Sequence, residues 1–297
     1  MEKITAVGEI LFDVYPETRN LGGAPLNFLY HIFKFTGKGK IISRVGNDVL
    51  GENARDFLKS NNIPTDYIQI DHLHPTGVTS VMLDANKVPS FHIDEDRAYD
   101  FIENNSEIEK LVEEETDCLY FGSLAQRNNV SRNIIQNLLG KKIKYFCDLN
   151  LRQNFYSEEV ISTSLKSADV LKINLDELEL INRIVFKKEY SFEAATADLI
   201  KCFNIELLAV TKGADGSTLF YKNEIDECKN LSGEVEDTLG AGDAFASVLC
   251  IGYLRGWKLS RTNQLANEFA GEICKIKGAL PESEAVYFKF KKIMNSE

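Results

Sequence analysis

The chain reads as an α/β protein with a largely parallel sheet covered by helices on both faces. Three observations predict this. Short β-rich apolar runs alternate with longer helical patterns along the 297 residues. Runs such as Lys144-Tyr145-Phe146-Cys147-Asp148 are apolar on consecutive positions, as strands buried on both sides are. Acids, amides and glycines gather just after the strands, at the end where α/β proteins place ligands.

Taken in order, the strands are expected at Ile4–Ile10, Lys40–Val45, Cys118–Gly122, Lys144–Asp148, Val170–Asn174 and Leu207–Thr211. The first helix, Pro25–Phe35, starts on a proline whose fixed φ suits a helix start. Further helices are expected at Gly51–Asn61, Ser131–Leu139, Ser157–Ser167, Asp176–Ile184, Phe192–Cys202, Gly242–Leu254 and Ser260–Ile276. Two regions break the alternation. Val14–Asn20 is short and polar, and Thr76–Ile93 reads as a hairpin, with Val78–Leu83 and Val88–Ile93 around Asp84-Ala85-Asn86-Lys87. They predict a small β appendage over the sheet edge, usable as a lid over a ligand or as a dimer-forming edge. No repeat, low-complexity tract or linker divides the chain.

With 44% hydrophobic and 10% aromatic residues the chain can bury a sizeable core. Its formal net charge of −11 argues against broad nucleic-acid or anionic-membrane binding, although a local nest of backbone N–H groups can still hold a phosphate. The six cysteines, Cys118, Cys147, Cys202, Cys228, Cys250 and Cys274, form no Cys-x-x-Cys pair, so no zinc spacing exists. Several sit in apolar runs, as buried free thiols do, which fits a reducing cytosol. Met1-Glu2-Lys3-Ile4-Thr5 lacks the basic and apolar regions of a signal peptide, and the apolar run at Ala244–Leu254 is too short to span a bilayer. A soluble cytoplasmic protein is expected.

The sharpest chemical signal is Asp237-Thr238-Leu239-Gly240-Ala241-Gly242-Asp243-Ala244-Phe245, where a small-residue loop runs into an apolar helix. Gly240, Ala241 and Gly242 let backbone N–H groups approach an anion, and the helix N-terminus adds unpaired donors and partial positive charge. Asp243 beside that hole can accept the proton of an attacking hydroxyl, a pairing suited to phosphoryl transfer. Asp13 after the first strand, with Gly22, Gly23 and Asn27, suits a polyhydroxylated ligand. Asp148-Leu149-Asn150-Leu151-Arg152 follows another strand; alternate residues there converge, and Arg152 can clamp a phosphate or steady a sugar hydroxyl. Asn174-Leu175-Asp176-Glu177 is a helix-cap pattern that also suits contact with a hydrated Mg²⁺ accompanying ATP. Thr211-Lys212-Gly213-Ala214-Asp215-Gly216 would let backbone pass near a nucleotide. Each pattern has a plainer reading as a turn, a cap or a surface ion pair. No P-loop and no Gly-x-Gly-x-x-Gly is present, and His31, His72, His74 and His92 fall at no metal or catalytic spacing. His31, in an apolar helical pattern, reads as a core or boundary histidine.

Together these motifs resemble the PfkB carbohydrate kinases, from Gly8 to about Ala279. Gly22-Gly23 to Asn27 is similar to the first family signature, Asp237 to Asp243 to the second, and Asn174-x-x-Glu177 to the magnesium-associated motif. The resemblance implies a three-layer α/β/α ribokinase-like fold over residues 1–297, with a mostly parallel central sheet and a small β lid from about 14–20 and 76–93. It implies transfer of the ATP γ-phosphoryl group to a sugar hydroxyl, with Asp243 as base and Gly240, Ala241 and Gly242 as anion hole. Asp13, Gly22, Gly23, Asn27, Arg97 and Arg152 then hold the sugar. Asn174, Thr211, Gly213, Gly216, Gly240 and Gly242 line the ATP site, Glu177 reaches Mg²⁺ through water, and Asp237 and Thr238, with Lys277-Gly278-Ala279, match loops that bind K⁺. Gly22-Gly23-Ala24-Pro25-Leu26-Asn27 and Asp148-x-Asn150-x-Arg152 look most like fructokinases, as does Asp96-Arg97-Ala98. Two departures stand out: no glycine lies between Arg97 and Ala98, and Leu26 and Phe28 replace smaller residues. 2-Keto-3-deoxygluconate kinase, ribokinase and aminoimidazole riboside kinase are the alternatives, and a binding protein without catalysis is another. A homodimer through the β lid is a further expectation.

Overall fold

The computed structural model describes residues 2–15, 17–83, 89–229 and 235–295. In chain order the first elements are β1 (Ile4–Val7), β2 (Leu11–Val14), β3 (Arg19–Gly22), α1 (Ala24–Thr36), β4 (Lys40–Gly46), α2 (Val49–Ser60), β5 (Ile68–Asp71), β6 (Gly77–Leu83) and β7 (Pro89–Ile93). Then come α3 (Ser106–Glu114), β8 (Cys118–Phe121), α4 (Asn129–Leu138), β9 (Lys144–Asp148), α5 (Glu158–Ser167), β10 (Val170–Asn174), α6 (Leu175–Ile181) and α7 (Phe192–Phe203). The remainder is β11 (Leu207–Thr211), β12 (Ser217–Tyr221), β13 (Glu224–Cys228), α8 (Ala241–Leu254), α9 (Leu259–Ile273) and α10 (Ala285–Asn295).

Nine strands form one sheet in the order β13-β12-β11-β10-β9-β8-β1-β4-β5. All neighbours are parallel except β11–β12 and β12–β13. The alternation of buried side chains explains the layers. Cys118 and Tyr120 of β8 join the core under α1, α8 and α9, whereas Leu119 and Phe121 join the core under α3 to α7. Both faces are apolar, so both must be covered. The α/β/α ribokinase-like fold expected from the motifs is the one observed. Strand order reverses between β1 and β8, the switch point where such sheets bind ligands.

The expected strand Ile4–Ile10 is shorter than the sequence suggested. Gly8, at φ 147°, ends it after Val7, and Leu11–Val14 crosses into a second sheet ordered β3-β2-β6-β7. There Asp13 pairs in register with Asn20 on one side and Thr79 on the other. The expected hairpin strands appear as β6 and β7; its tip, Asp84 to Lys87, and Val88 lie outside the described residues. The helix expected over Asp176–Ile184 ends at Ile181 and gives way to a π turn over Asn182–Phe186. β5, β12, β13, α3 and α10 carried no clear pattern. β13 (Glu-Ile-Asp-Glu-Cys) is a polar edge strand that reads as loop.

α8 is buried at every position from Ala244 to Gly252 and runs through the core. Gly252 lets it lie against α9, where a Cβ would stand 2.6 Å from Thr262 Cγ2. His31 is a core histidine: Nδ1 lies 2.7 Å from the Tyr287 hydroxyl, and burial pulls its pKa down to about 3. Among the described residues no helix is long and apolar enough to cross a membrane.

Candidate active site

The motifs singled out above come together at the carboxyl ends of the parallel strands. α8 begins on Gly240, which adopts φ 76° and has no side-chain cap. A Cβ there would lie 2.4 Å from that of Ala279, so only glycine fits the turn. Ala241 N–H donates to Thr238 O at 3.3 Å. The N–H groups of Gly242 and Asp243, second and third in the helix, have no intrahelical acceptor by helix geometry and remain for an anion.

Asp243 projects from this first turn toward α1, where Asn27 Nδ2 donates to its Oδ2 at 2.8 Å. Asn27 is buried, and its Oδ1 has no partner. Its neighbour across Gly22 is Asp13: a Cβ on Gly22 would stand 3.1 Å from Asp13 Oδ2 and 4.0 Å from Asn27 Oδ1. Gly23, at φ 109°, passes so close to the segment between β1 and β2 that a Cβ would fall 2.5 Å from the Glu9 carbonyl. Asp13, Gly22, Gly23, Asn27 and Asp243 therefore surround one small volume with acceptors.

Electrostatics single out the same residues. Burial pushes the Asp243 carboxyl up to about 7; the Asp148 carboxylate adds to this, while the Asn27 hydrogen bond, Lys172 and Arg152 oppose it. Asp13 rises to about 6 through burial, helped by Asp237 and opposed by Arg152 and a hydrogen bond from Thr79. Glu9 rises to about 7, again by burial, with Asp243 adding and backbone N–H groups and Arg152 opposing. Arg152 is exposed, yet its charge reaches all three acids. The alternation expected through Asp148, Asn150 and Arg152 stops at Asp148, because Asn150 and Gln153 take left-handed φ values of 45° and 47°. The loop, rather than strand alternation, brings Arg152 inward. Arg97 departs from expectation: its guanidinium pairs with Asp94, and its Nε is buried without a partner.

On the side expected to hold the nucleotide, Asn174 and Thr211 are register neighbours at the ends of β10 and β11. Gly213 and Gly216 have φ of 57° and 91°, and a Cβ on Gly213 would meet nothing within 4 Å. Asn174 and Glu177 form a reciprocal cap of α6. Glu177 accepts from Leu151 N–H at 2.7 Å and Asn174 N–H at 2.8 Å, so both carboxylate oxygens are engaged. Asp237 clips two loops together, accepting from Leu239 N–H and Gly278 N–H, both at 3.0 Å. Among the described residues no cluster of three or more His, Cys, Asp or Glu side chains could cage a metal.

Glu9, Thr79, Tyr120 and Lys172 belong to this neighbourhood and carried no assignment from sequence. Glu9 and Lys172 had a legible signal: each is a lone charge in an otherwise apolar strand-like run. Thr79 had none beyond its place in the hairpin.

Comparison with known proteins agrees with this geometry. Residues 1–285 match the family model of the pfkB carbohydrate kinases. The chain is 29% identical to a sugar kinase of Pyrococcus horikoshii over 93% of its length and 91% of the relative's. The crystal structure of that uncharacterized kinase in complex with ATP superposes with a TM-score of 0.76 at 26% identity, covering 93% of both chains. Escherichia coli fructokinase is 26% identical over 84% of each chain. A Vibrio cholerae fructokinase variant, solved with fructose, ADP and potassium ion bound, shares the fold, with a TM-score of 0.76 at 24% identity over 97% of this chain and 98% of that one. The chain belongs to the pfkB family of carbohydrate kinases and is an ATP-dependent sugar kinase.

Proposed function

We propose that the sugar is fructose and that the enzyme is a fructokinase. The observation that carries this reading is Asn27, which holds Asp243 with its amide nitrogen and keeps a buried, unpartnered oxygen beside Asp13. A buried acceptor without a donor is costly unless a ligand hydroxyl fills it. A polyol there places one hydroxyl on Asp243 and others on Asp13 and Asn27. Similarity to fructokinases supports a ketohexose over a pentose.

In the proposed reaction the Asp243 carboxylate takes the proton as the sugar oxygen bonds to the γ-phosphorus. The bond from phosphorus to the β-phosphate oxygen breaks, and ADP leaves with that electron pair. The N–H groups of the Gly240–Asp243 turn hold the developing negative charge. Thr211, Gly213, Gly216 and Asn174 line the nucleotide path. When bound with ATP, magnesium would supply charge neutralisation at the nucleotide phosphates. The residues fit an ion that keeps its water shell, with Glu177 acting through water, because both its oxygens already accept backbone N–H groups. The resemblance would place a potassium ion beside Asp237 and Thr238, where Asp237 joins the two loops. Arg97 joins the sugar only by leaving Asp94. All six cysteines are free, which fits the reducing cytoplasm.

The test is ATP-dependent turnover of fructose, ribose, 2-keto-3-deoxygluconate, glucose and adenosine with Mg²⁺, with and without K⁺. Fructose well above the others supports the proposal; another sugar in first place overturns the substrate and keeps the mechanism.

A further inference from the structure

A lysine inside a parallel sheet, with helices over both faces, needs a reason to be there. Lys172 sits mid-strand in β10 with its side chain 10% exposed. Its Nζ donates to both carboxylate oxygens of Asp148, each at 2.9 Å. These are its only hydrogen bonds among the described residues, so the third N–H of the ammonium has no protein acceptor. A buried ion pair of this kind adds little to stability, because the desolvation of two charges offsets their attraction.

The position of the ammonium is more telling. A methyl group added at Gly242 would stand only 3.2 Å from Lys172 Nζ. The ammonium therefore borders the uncapped first turn of α8, whose N–H groups form the anion hole. A side chain at Gly242 would crowd the lysine as well as the anion. Asp148, fully buried, also accepts from the Tyr120 hydroxyl at 3.2 Å. The Tyr120 ring stacks on Phe28 at 3.9 Å between centroids, and Phe28 follows Asn27, the residue that holds Asp243. A continuous set of contacts thus runs from the base, through α1 and β8, to the tether of the lysine. This gives Phe28, bulkier than expected, a role: it braces Tyr120.

The geometry points to Lys172 as a catalytic residue that donates its free N–H to the γ-phosphoryl group in flight, with Asp148 and Tyr120 as positioning residues. The inference rests on the assignment of Asp243 as base. The ammonium stays charged: despite burial, the carboxylates of Asp148, Glu177 and Asp243 hold its pKa up. The charged groups facing Asp243 are Asp148, Glu9, Lys172 and Arg152. Removing Lys172 raises the pKa of Asp243, and neutralising Asp148 lowers it.

The experiment compares wild type, K172M, D148N and the charge-neutral double variant K172M/D148N, using the preferred sugar of the panel. K172M is expected to lower kcat by about 10²-fold or more, as loss of a transition-state donor does. KM for ATP stays within about threefold, since the contact is made mainly in the transition state. The acid limb of the pH–rate profile moves up in K172M and down in D148N, as the charges beside Asp243 require, while the aluminium fluoride affinity separates a phosphoryl donor from a merely structural pair. Affinity for ADP with Mg²⁺ and aluminium fluoride falls at least about tenfold in K172M, while affinity for ADP and Mg²⁺ alone holds. Where K172M leaves Asp148 stranded and fails to fold, the double variant is read instead. A folded K172M or double variant with kcat within threefold of wild type, or with unchanged aluminium fluoride affinity, overturns the inference. D243N is measured alongside: its near-normal turnover would remove the base assignment, leaving the aluminium fluoride arm to decide on Lys172.

Discussion

In the proposed role of base, Asp243 would outperform a surface aspartate because its surroundings oppose its charge. With its pKa pushed up to about 7, it binds a proton tightly enough to drive its removal from a hydroxyl, yet is ionised above neutrality. The acid limb of kcat/KM should therefore lie near pH 7, far above the usual carboxylate range. Asn27 opposes that shift, so N27L should move the limb upward and raise KM for the sugar, by about tenfold or more for loss of a buried polar contact. Glu9 makes a stability prediction. Its folded-state pKa of about 7 exceeds its ordinary 4.5, so the native state holds a proton that the unfolded chain releases. The protonated form favours folding fully below pH 4.5, and that advantage is lost as pH rises through 7. E9Q should thus stabilise the apoprotein at pH 8 by about 1–3 kcal/mol and change little at pH 4, measured by urea unfolding.

At the scale of elements, the site depends on how two helices begin. α1 starts after Gly23, wedged against the Glu9 carbonyl, and α8 starts on Gly240, wedged against Ala279. Alanine at Gly240 needs an unfavourable left-handed φ and overlaps Ala279. G240A should cost about 2 kcal/mol or more and lower kcat at least about 10²-fold, because the N–H groups of the turn move with it. Sequence reading was strongest for such elements. Lys144–Asp148, Val170–Asn174 and Leu207–Thr211 coincide with β9, β10 and β11, since strands buried on both faces show as apolar runs with sharp ends. It was weakest where one face meets water. The expected strand Ile4–Ile10 runs past Gly8, where β1 ends, and β2 carries no strand expectation, while β12 and β13 alternate too weakly to separate from loop. In the site, acids and glycines near turns were legible because their spacing is local. Thr79 and Tyr120 were not, because their relevance comes from strands adjacent in space but distant in sequence; Glu9 and Lys172 stand out only as lone charges in apolar runs, and their partners are equally distant in sequence. Arg97 shows the converse: its motif placed it at the sugar, and only the fold shows that Asp94 competes for it.

Over the whole molecule, the switch between β1 and β8 gathers into one crevice residues as far apart in the chain as Asp13 and Asp243. The small sheet adds Asp13 and Thr79 from the other side, so a sugar held as proposed would join two sheets. Ligands that bind only the folded chain should stabilise it by about 2.7 kcal/mol at a hundredfold excess over Kd. For a chain this long that is a rise in Tm of about 4 °C for each ligand, read by scanning calorimetry with fructose and with a non-hydrolysable ATP analogue. In the proposed complex, sugar hydroxyls would add donors at Asp13, Asn27 and Asp243 and so offset part of the cost of holding these polar groups away from water.

The most direct measurement is the pH dependence of kcat/KM for wild type and D243N between pH 5 and 9, with ATP and the preferred sugar. The account predicts a wild-type acid limb near 7 and a D243N enzyme slower by about 10²–10⁴-fold in which that limb is gone. A D243N enzyme with near-wild-type kcat and the same limb would contradict it.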